Sequence, residues 1–484
     1  MSADLAFGHA CRERLAHFEP VVADGRIRGL VGTLIEGEGV SVQVGGVCRV
    51  LPADGTPSFV AEVVGFRDER ILLMPLGEQR GVGPGARLQP AQLRATVPAG
   101  EACLGRVLDG LGRPLDGGPA LDDAERVPLY RKPESVMARE RVHQPLDLGV
   151  RAIDGLATVG RGSRIGIFAG SGVGKSTLLG QIAQHTRADV NVIALVGERG
   201  REVRDFIERD LGDALSRSVV IVATADEMPL LRVRAAHAAT AIAERFRDGG
   251  RHVLLLMDSL TRFCMAQREI GLAAGEPPTT RGYTPSTWSE LPRLLERAGT
   301  APGGASITGI YTVLVEGDDL NEPVADASRA ALDGHVTLSR AIAERGQYPA
   351  IDVLASVSRV MSDVVPDEHQ ALGHAAREAL ALYRKNEDLI SIGAYSDGTD
   401  AGIDRARALD APLRAFLCQR PGEHSDVASA VAGLSAALAT SPAPASGNAA
   451  TPPAPASGNA AALPAPANGN AATPPSAAAP GGAS

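Results

Sequence analysis

Residues 165–177 read IGIFAGSGVGKST. A short apolar run, Ile165 to Ala169, leads into Gly170-Ser171-Gly172-Val173-Gly174-Lys175-Ser176-Thr177, and Leu178 to Ile182 continues as a helix-forming stretch. Strand, glycine loop, Lys-Ser and helix together make a holder for nucleotide phosphates. The glycines let several backbone N–H groups turn toward one anion, and the helix N-terminus adds its partial positive charge. In this arrangement Lys175 reaches the β- and γ-phosphates and the Ser176 hydroxyl sits on Mg²⁺. Ala169 stands where the strict pattern has glycine, at a position that closes the strand and does not touch phosphate. A glycine-rich strand–helix turn with a lone surface lysine is the plain alternative. A dinucleotide fingerprint is another, but its third glycine is misplaced here. The flanking strand and helix favour phosphate binding.

The rest of the composition bounds the setting. A chain of 484 residues is long enough for two or three domains with ample core. No run of about 18 uninterrupted apolar residues predicts a membrane-spanning helix, and MSADLAFGHACRER at the start lacks the apolar core of a secretory signal. A net charge of −9 argues against a protein held on nucleic acid by phosphate contacts. Five scattered cysteines with no CxxC pair fit reduced, cytosolic thiols. The ten histidines form no HExxH or Cys/His cluster, which argues against zinc.

Along the chain, residues 1–22 predict an N-terminal arm with a loose helical stripe (Leu5, Phe7, Cys11, Leu15, Phe18), either packed on its own domain or docking a partner. Residues 23–97 predict short strands in a small β-barrel or sandwich, with Val40, Val42 and Val44 alternating in one strand and Phe59, Ala61 and Val63 in another. Residues 98–385 predict an α/β domain. Its strands are Val190–Val196, Val219–Ala223, Val253–Met257, Ile307–Val315 and Ile351–Ala355, and its helices include Pro229–Arg247 and Pro323–Arg345. The alternation implies a parallel sheet covered on both faces, with ligands at the strand C-terminal ends. Residues 386–436 predict a small helical domain. Residues 437–484 predict a disordered tail, because three copies of an 11-residue Pro/Ala/Gly/Asn-rich unit carry too little apolar surface to offset ordering entropy.

Four further features point to hydrolysis. VLLLMD (253–258) is an apolar strand ending in Asp258, a carboxylate placed to order Mg²⁺. Glu198 follows the strand Val190–Val196 and is either the base that polarises attacking water or a partner of Arg199 or Arg201 in a loop salt bridge. Arg359 follows Ile351–Ala355 and is placed for donation to a neighbouring subunit's γ-phosphate. Tyr348, ahead of Pro349, is either a platform for a base or plain core.

With LGRVLDGLGRPLD (104–116), VGERGREVRDFI (196–207), the stretch 254–283, VEGDDLNEPVADASRAALDGHVTLSR (315–340) and QYPAIDVLASVSRVM (347–361), the chain resembles the ATPases of type III protein export, which serve the flagellum and the injectisome and are similar to catalytic subunits of rotary F- and V-type ATPases. The resemblance covers about residues 25–420. It implies a RecA-like P-loop core preceded by the β-barrel, with ATP and Mg²⁺ as the bound groups. It also implies phosphate contacts from Lys175 and Ser176, Glu198 as catalytic carboxylate with Arg199 beside it, Asp258 on Mg²⁺ and Arg262 near the γ-phosphate. Arg359 becomes a finger acting in trans, Tyr348 the adenine platform, and Phe416 a closing wall of the base pocket. The resemblance further implies a homohexameric ring in the cytoplasm, peripheral to the inner membrane at the export gate. There it would release chaperones and feed substrates, with a stalk protein in the ring centre and a stator dimer on the N-terminal arm. VEGDD, ADASRAALDGH and DLISIGAY look closest to the flagellar branch.

Two rivals predict different residues. A rotary catalytic subunit usually carries an acidic DELSEED-like segment, which 384–404 lacks, and an RNA-translocating ring needs basic and aromatic surfaces that this acidic, aromatic-poor chain does not offer. Trp288 in 284–292 and Cys264 depart from the family pattern, and the repeated tail has no counterpart in it.

Overall fold

The computed structural model describes residues 24–439, apart from positions 80, 93, 316–318 and 320. The expected arm at 1–22 and nearly all of the expected tail lie outside the described residues.

Six strands close an antiparallel barrel: β1 (Gly25–Val31), β2 (Leu34–Glu38), β3 (Val47–Leu51), β4 (Phe59–Arg67), β5 (Arg70–Pro75) and β6 (Arg87–Gln92). Their order around the barrel is β1-β2-β5-β4-β3-β6. Inward residues alternate along each strand, and Ile27, Ile35, Val50, Val63 and Leu73 fill the interior. The alternation at Val40, Val42 and Val44 does not make a strand. That segment is a connection; Val40 and Val42 lean on the barrel core while Val44 is exposed.

The central sheet follows; β7 (Thr96–Pro98) and β9 (Arg126–Pro128), which flank its strand β8 in sequence, form a separate pair. Its strands are β8 (Val107–Asp109), β10 (Arg164–Ala169), β11 (Val190–Glu198), β12 (Ser218–Thr224), β13 (His252–Asp258), β14 (Gly299–Thr300), β15 (Ser306–Leu314), β16 (Gly334–Leu338) and β17 (Ile351–Ser358). The order is β17-β16-β10-β15-β13-β11-β12-β8, with β14 on β15. Neighbours run parallel except β17, antiparallel to β16, and β14, antiparallel to β15. Period-two packing sorts each strand between two cores. Val190, Val192, Ala194 and Val196 join the helices Pro229–Asp248 and Leu260–Ala273, whereas Ile193 and Leu195 face the side of the helix Lys175–His185.

One expected element is corrected. The stretch Pro323–Arg345 is two helices, Pro323–Ala331 and Arg340–Glu344, separated by β16. GHVTL alternates buried and half-buried residues, and a Cβ at Gly334 would stand 2.4 Å from the Val357 carbonyl oxygen, so glycine admits the β17 backbone. The C-terminal helices are Asp367–Ser391, Ala401–Leu417 and Val427–Ala439; the first spans the expected boundary at 385/386.

The barrel is bolted to the core by a buried ion pair. Glu62 on β4 meets Arg234 of the helix Pro229–Asp248, each side chain 4% exposed, and Tyr130 Oη donates to Glu62 at 2.6 Å.

Candidate active site

β10 runs between β15 and β16 and ends at Ala169. The loop after it turns through Gly172 (φ 79°) and Gly174 (φ 90°), both in the left-handed region that glycine adopts without strain. Gly174 caps the helix Lys175–His185, so the free N–H groups of its first turn open on the loop. Ser171, Ser176 and Thr177 are exposed, Gly170 and Val173 buried, and Lys175 half-buried.

Two neighbouring strands bring acids to this end of the sheet. β13 ends in Asp258, buried, with Oδ1 accepting from Thr312 Oγ1 at 2.6 Å and Oδ2 ion-paired with Lys175. β11 ends in Glu198, whose Oε1 lies 3.8 Å from Lys175 Nζ. A register shift between Val196 and Glu198 against β12, at Gly197 (φ 75°), breaks the strand's alternation just where the acid emerges. Burial pushes the Glu198 carboxyl up to about 7, helped by the Asp258 carboxylate and opposed by Lys175 and Arg262.

Arg262 belongs to this group. Its side chain lies over Gly197, where a Cβ would come within 2.9 Å of Arg262 Cβ. Arg199 does not join; it is exposed and pairs with Glu202 at 3.0 Å. Tyr348 is half-exposed, with its ring 3.8 Å from the position a Cβ would take on Gly174. Phe416 is buried against Gly155 and Gly433; three residues on, Gln419 donates its backbone N–H to the Tyr348 carbonyl at 2.9 Å. Trp288, with Nε1 3.2 Å from Thr279 Oγ1, packs on Tyr283, over which Arg268 also lies. Thr312, which orients Asp258, was not signalled by the sequence: it sits mid-strand in an apolar run, 54 residues away.

Arg359 stands apart. Because β17 is antiparallel, its first residue Ile351 pairs with Leu338 at the loop end of the sheet, and its last, Ser358, pairs with Gly334 at the opposite end. β17 bulges between Asp352 and Val357, so its two ends face positions only four residues apart on β16, about 13 Å along the sheet. Tyr348 and Arg359 therefore lie at opposite ends of one strand.

Residues 149–358 match the ATP synthase alpha/beta family, nucleotide-binding domain, and residues 365–436 match the T3SS EscN ATPase C-terminal domain. The flagellum-specific ATP synthase of Salmonella typhimurium is 52% identical over 413 residues, covering 83% of this chain and 91% of that protein. The chain belongs to the type III export ATPase family. Another relative, the type 3 secretion system ATPase of Xanthomonas euvesicatoria, is 52% identical over 396 residues, covering 82% of this chain and 89% of its own length. Among solved structures, the assembled ATPase EscN of the enteropathogenic E. coli type III secretion system is 42% identical and superposes with a TM-score of 0.81, over 86% of this chain and all of that one. EscN in complex with its central stalk EscO matches with a TM-score of 0.79 over the same shares. As an export-family ATPase, the chain pairs an ATP-synthase-type nucleotide-binding core with a C-terminal helical domain of the EscN kind.

Proposed function

We propose that this chain is the ATP-hydrolysing motor of a type III protein export apparatus, working as a homohexameric ring whose active sites form between neighbouring copies. One observation carries this reading: Lys175, Glu198 and Asp258 converge at one end of the sheet, while β17 carries Arg359 to the other. Within one copy the root of that arginine stands about 13 Å along the sheet from the loop end, at the edge that faces away from its own loop.

In this reading the loop Gly170–Thr177 turns its N–H groups onto the triphosphate, and Lys175 leaves Asp258 for the β- and γ-phosphates. Glu198 orients water for in-line attack on the γ-phosphorus and accepts its proton; the bond to the bridging oxygen breaks and ADP departs with the electron pair. Arg262 and the neighbour's Arg359 balance the charge that develops on the γ-phosphate oxygens. The Ser176 hydroxyl and the Asp258 carboxylate are hard oxygen donors that fit Mg²⁺, which would neutralise charge between the β- and γ-phosphates. Tyr348 stacks the adenine, and Phe416, three residues ahead of the Gln419 that holds the Tyr348 carbonyl, closes the base pocket. Arg199 stays beside Glu198 on the loop, held by Glu202.

The assembled EscN structures support self-association and a stalk in the ring centre. The family resemblance supports a stator dimer on residues 1–22, delivery of chaperone–substrate complexes to the export gate, and a cytoplasmic position peripheral to the inner membrane through partners. Identity is 52% to both a flagellar and a secretion relative, so the flagellar reading rests on VEGDD, ADASRAALDGH and DLISIGAY.

Mixing tests the shared site. Lys175→Ala and Arg359→Ala proteins are each inactive alone, and together they recover a fraction of wild-type turnover, because some interfaces pair an intact loop with an intact finger. No recovery at any ratio, in chains that still assemble, overturns the reading.

A further inference from the structure

The helix Asp367–Ser391 carries an arginine whose charge meets no acid. Among the described residues no carboxylate pairs with Arg377; its guanidinium donates to three backbone carbonyls instead. One amino group donates to the Val353 and Ser356 carbonyls at 2.9 and 3.0 Å, and the other to the Leu156 carbonyl. Val353 and Ser356 lie on β17, and Leu156 ends the helix Arg151–Leu156, where carbonyls lack helical partners. A planar fork holding three acceptors on two elements fixes their relative position more firmly than a point charge would.

Those contacts fall just before Arg359. The next residues are fastened as well: Ser358 Oγ donates to the Thr158 carbonyl at 2.7 Å, and the Arg359 N–H donates to the Asp333 carbonyl at 2.9 Å. The Arg359 side chain itself is exposed, and among the described residues its guanidinium hydrogen-bonds only the Arg329 carbonyl, at 3.3 Å. The root of this arginine is thus held tightly while its tip stands exposed on a single long hydrogen bond. His369, on the same long helix as Arg377, meets the Gly155 carbonyl at 2.8 Å. The C-terminal helices therefore grip both the short helix and β17.

We propose that Arg377 is a positioning residue for Arg359: it clamps the end of β17 to the C-terminal helices and so sets where the Arg359 guanidinium reaches into the neighbouring copy's site. The proposal rests on the shared-site reading above.

The test uses the full chain in three pairwise mixtures, with Arg359→Ala plus Lys175→Ala as control. Arg377→Gln alone is expected to lower kcat at least tenfold while KM for ATP stays within threefold, since its own loop is intact. Mixed with Lys175→Ala it recovers turnover as the control does; mixed with Arg359→Ala it does not, because both partners lack a placed finger. Wild-type kcat in Arg377→Gln, recovery with Arg359→Ala, or no recovery with Lys175→Ala while the control recovers would each overturn the proposal. Failure of the control alone strikes the shared-site reading and takes the proposal with it. If Arg377→Gln does not fold, Arg377→Lys keeps the charge without the fork and is scored in the same mixtures by the same outcomes.

Discussion

The Lys175 ammonium is ion-paired with Asp258 and lies 3.8 Å from Glu198 Oε1, so one cation serves two carboxylates. In the proposed mechanism, the lysine that meets phosphate is held at the site by the two acids that the reaction uses. Substituting Lys175→Ala removes charged hydrogen bonds to phosphate worth about 1.5–3 kcal/mol each. ATP affinity is expected to fall by about 10- to 100-fold, as read by equilibrium binding of a fluorescent ATP analogue. Unchanged affinity would remove Lys175 from phosphate contact.

Glu198 titrates high for a carboxyl, at about 7. Below that pH it is protonated and idle as a base; above it, ionised and competent. The acid limb of kcat/KM, which reports the free enzyme, is expected to have its midpoint near 7. Glu198→Gln should retain ATP binding and lose about 10²–10⁴ in turnover. The raised value also means that the nucleotide-free fold loses stability as pH rises from 4.5 toward 7, since the unfolded chain releases this proton first. A thermal-shift series over that window should be flatter in Glu198→Gln.

Gly197 bends β11 just ahead of Glu198, and its missing side chain makes room for Arg262. In Gly197→Ala the new methyl meets Arg262 and the backbone sits at a φ that costs about 1–2 kcal/mol outside glycine. Turnover should fall at least tenfold with ATP affinity nearly intact. A variant with wild-type kcat would show that Glu198 does not depend on this bend.

Tyr348 presents an exposed aromatic face beside Gly174. Tyr348→Ala should weaken ATP binding by about two- to tenfold, the loss of a stacking contact of about 0.5–1.5 kcal/mol, whereas Tyr348→Phe keeps the face and should bind as wild type. Equal losses in both would argue for the hydroxyl instead of stacking.

The Glu62–Arg234 pair is dry at both ends. Arg234→Met leaves a buried carboxylate with only the Tyr130 hydroxyl and is expected to destabilise the chain by about 3–5 kcal/mol. Glu62→Leu combined with Arg234→Met should recover much of that. Chemical denaturation of the three proteins distinguishes them, and a single variant as stable as wild type would show that the joint carries little strength.

The nucleotide site was legible because its parts are contiguous or sit at strand ends. IGIFAGSGVGKST holds strand, turn and helix start in one reading, and an apolar strand that stops in an acid announces Asp258 and Glu198. β16 was hidden because five residues flanked by helical sequence look helical until β10 and β17 pair with them on both sides. Val40–Val44 misled in the other direction, since alternation without a neighbour to pair with does not make a strand.

The amino-acid order alone determined the glycine loop, the two-faced strands and the acids that end them, because each follows from local periodicity and local turn chemistry. Only the tertiary structure decided that β17 runs antiparallel, that Lys175 bridges Asp258 and Glu198, that Arg234 reaches Glu62 across 172 positions and that Arg377 grips β17. Those are choices about which distant segments lie side by side. They are set by strand pairing and burial summed over the whole sheet, quantities that no short window of sequence contains.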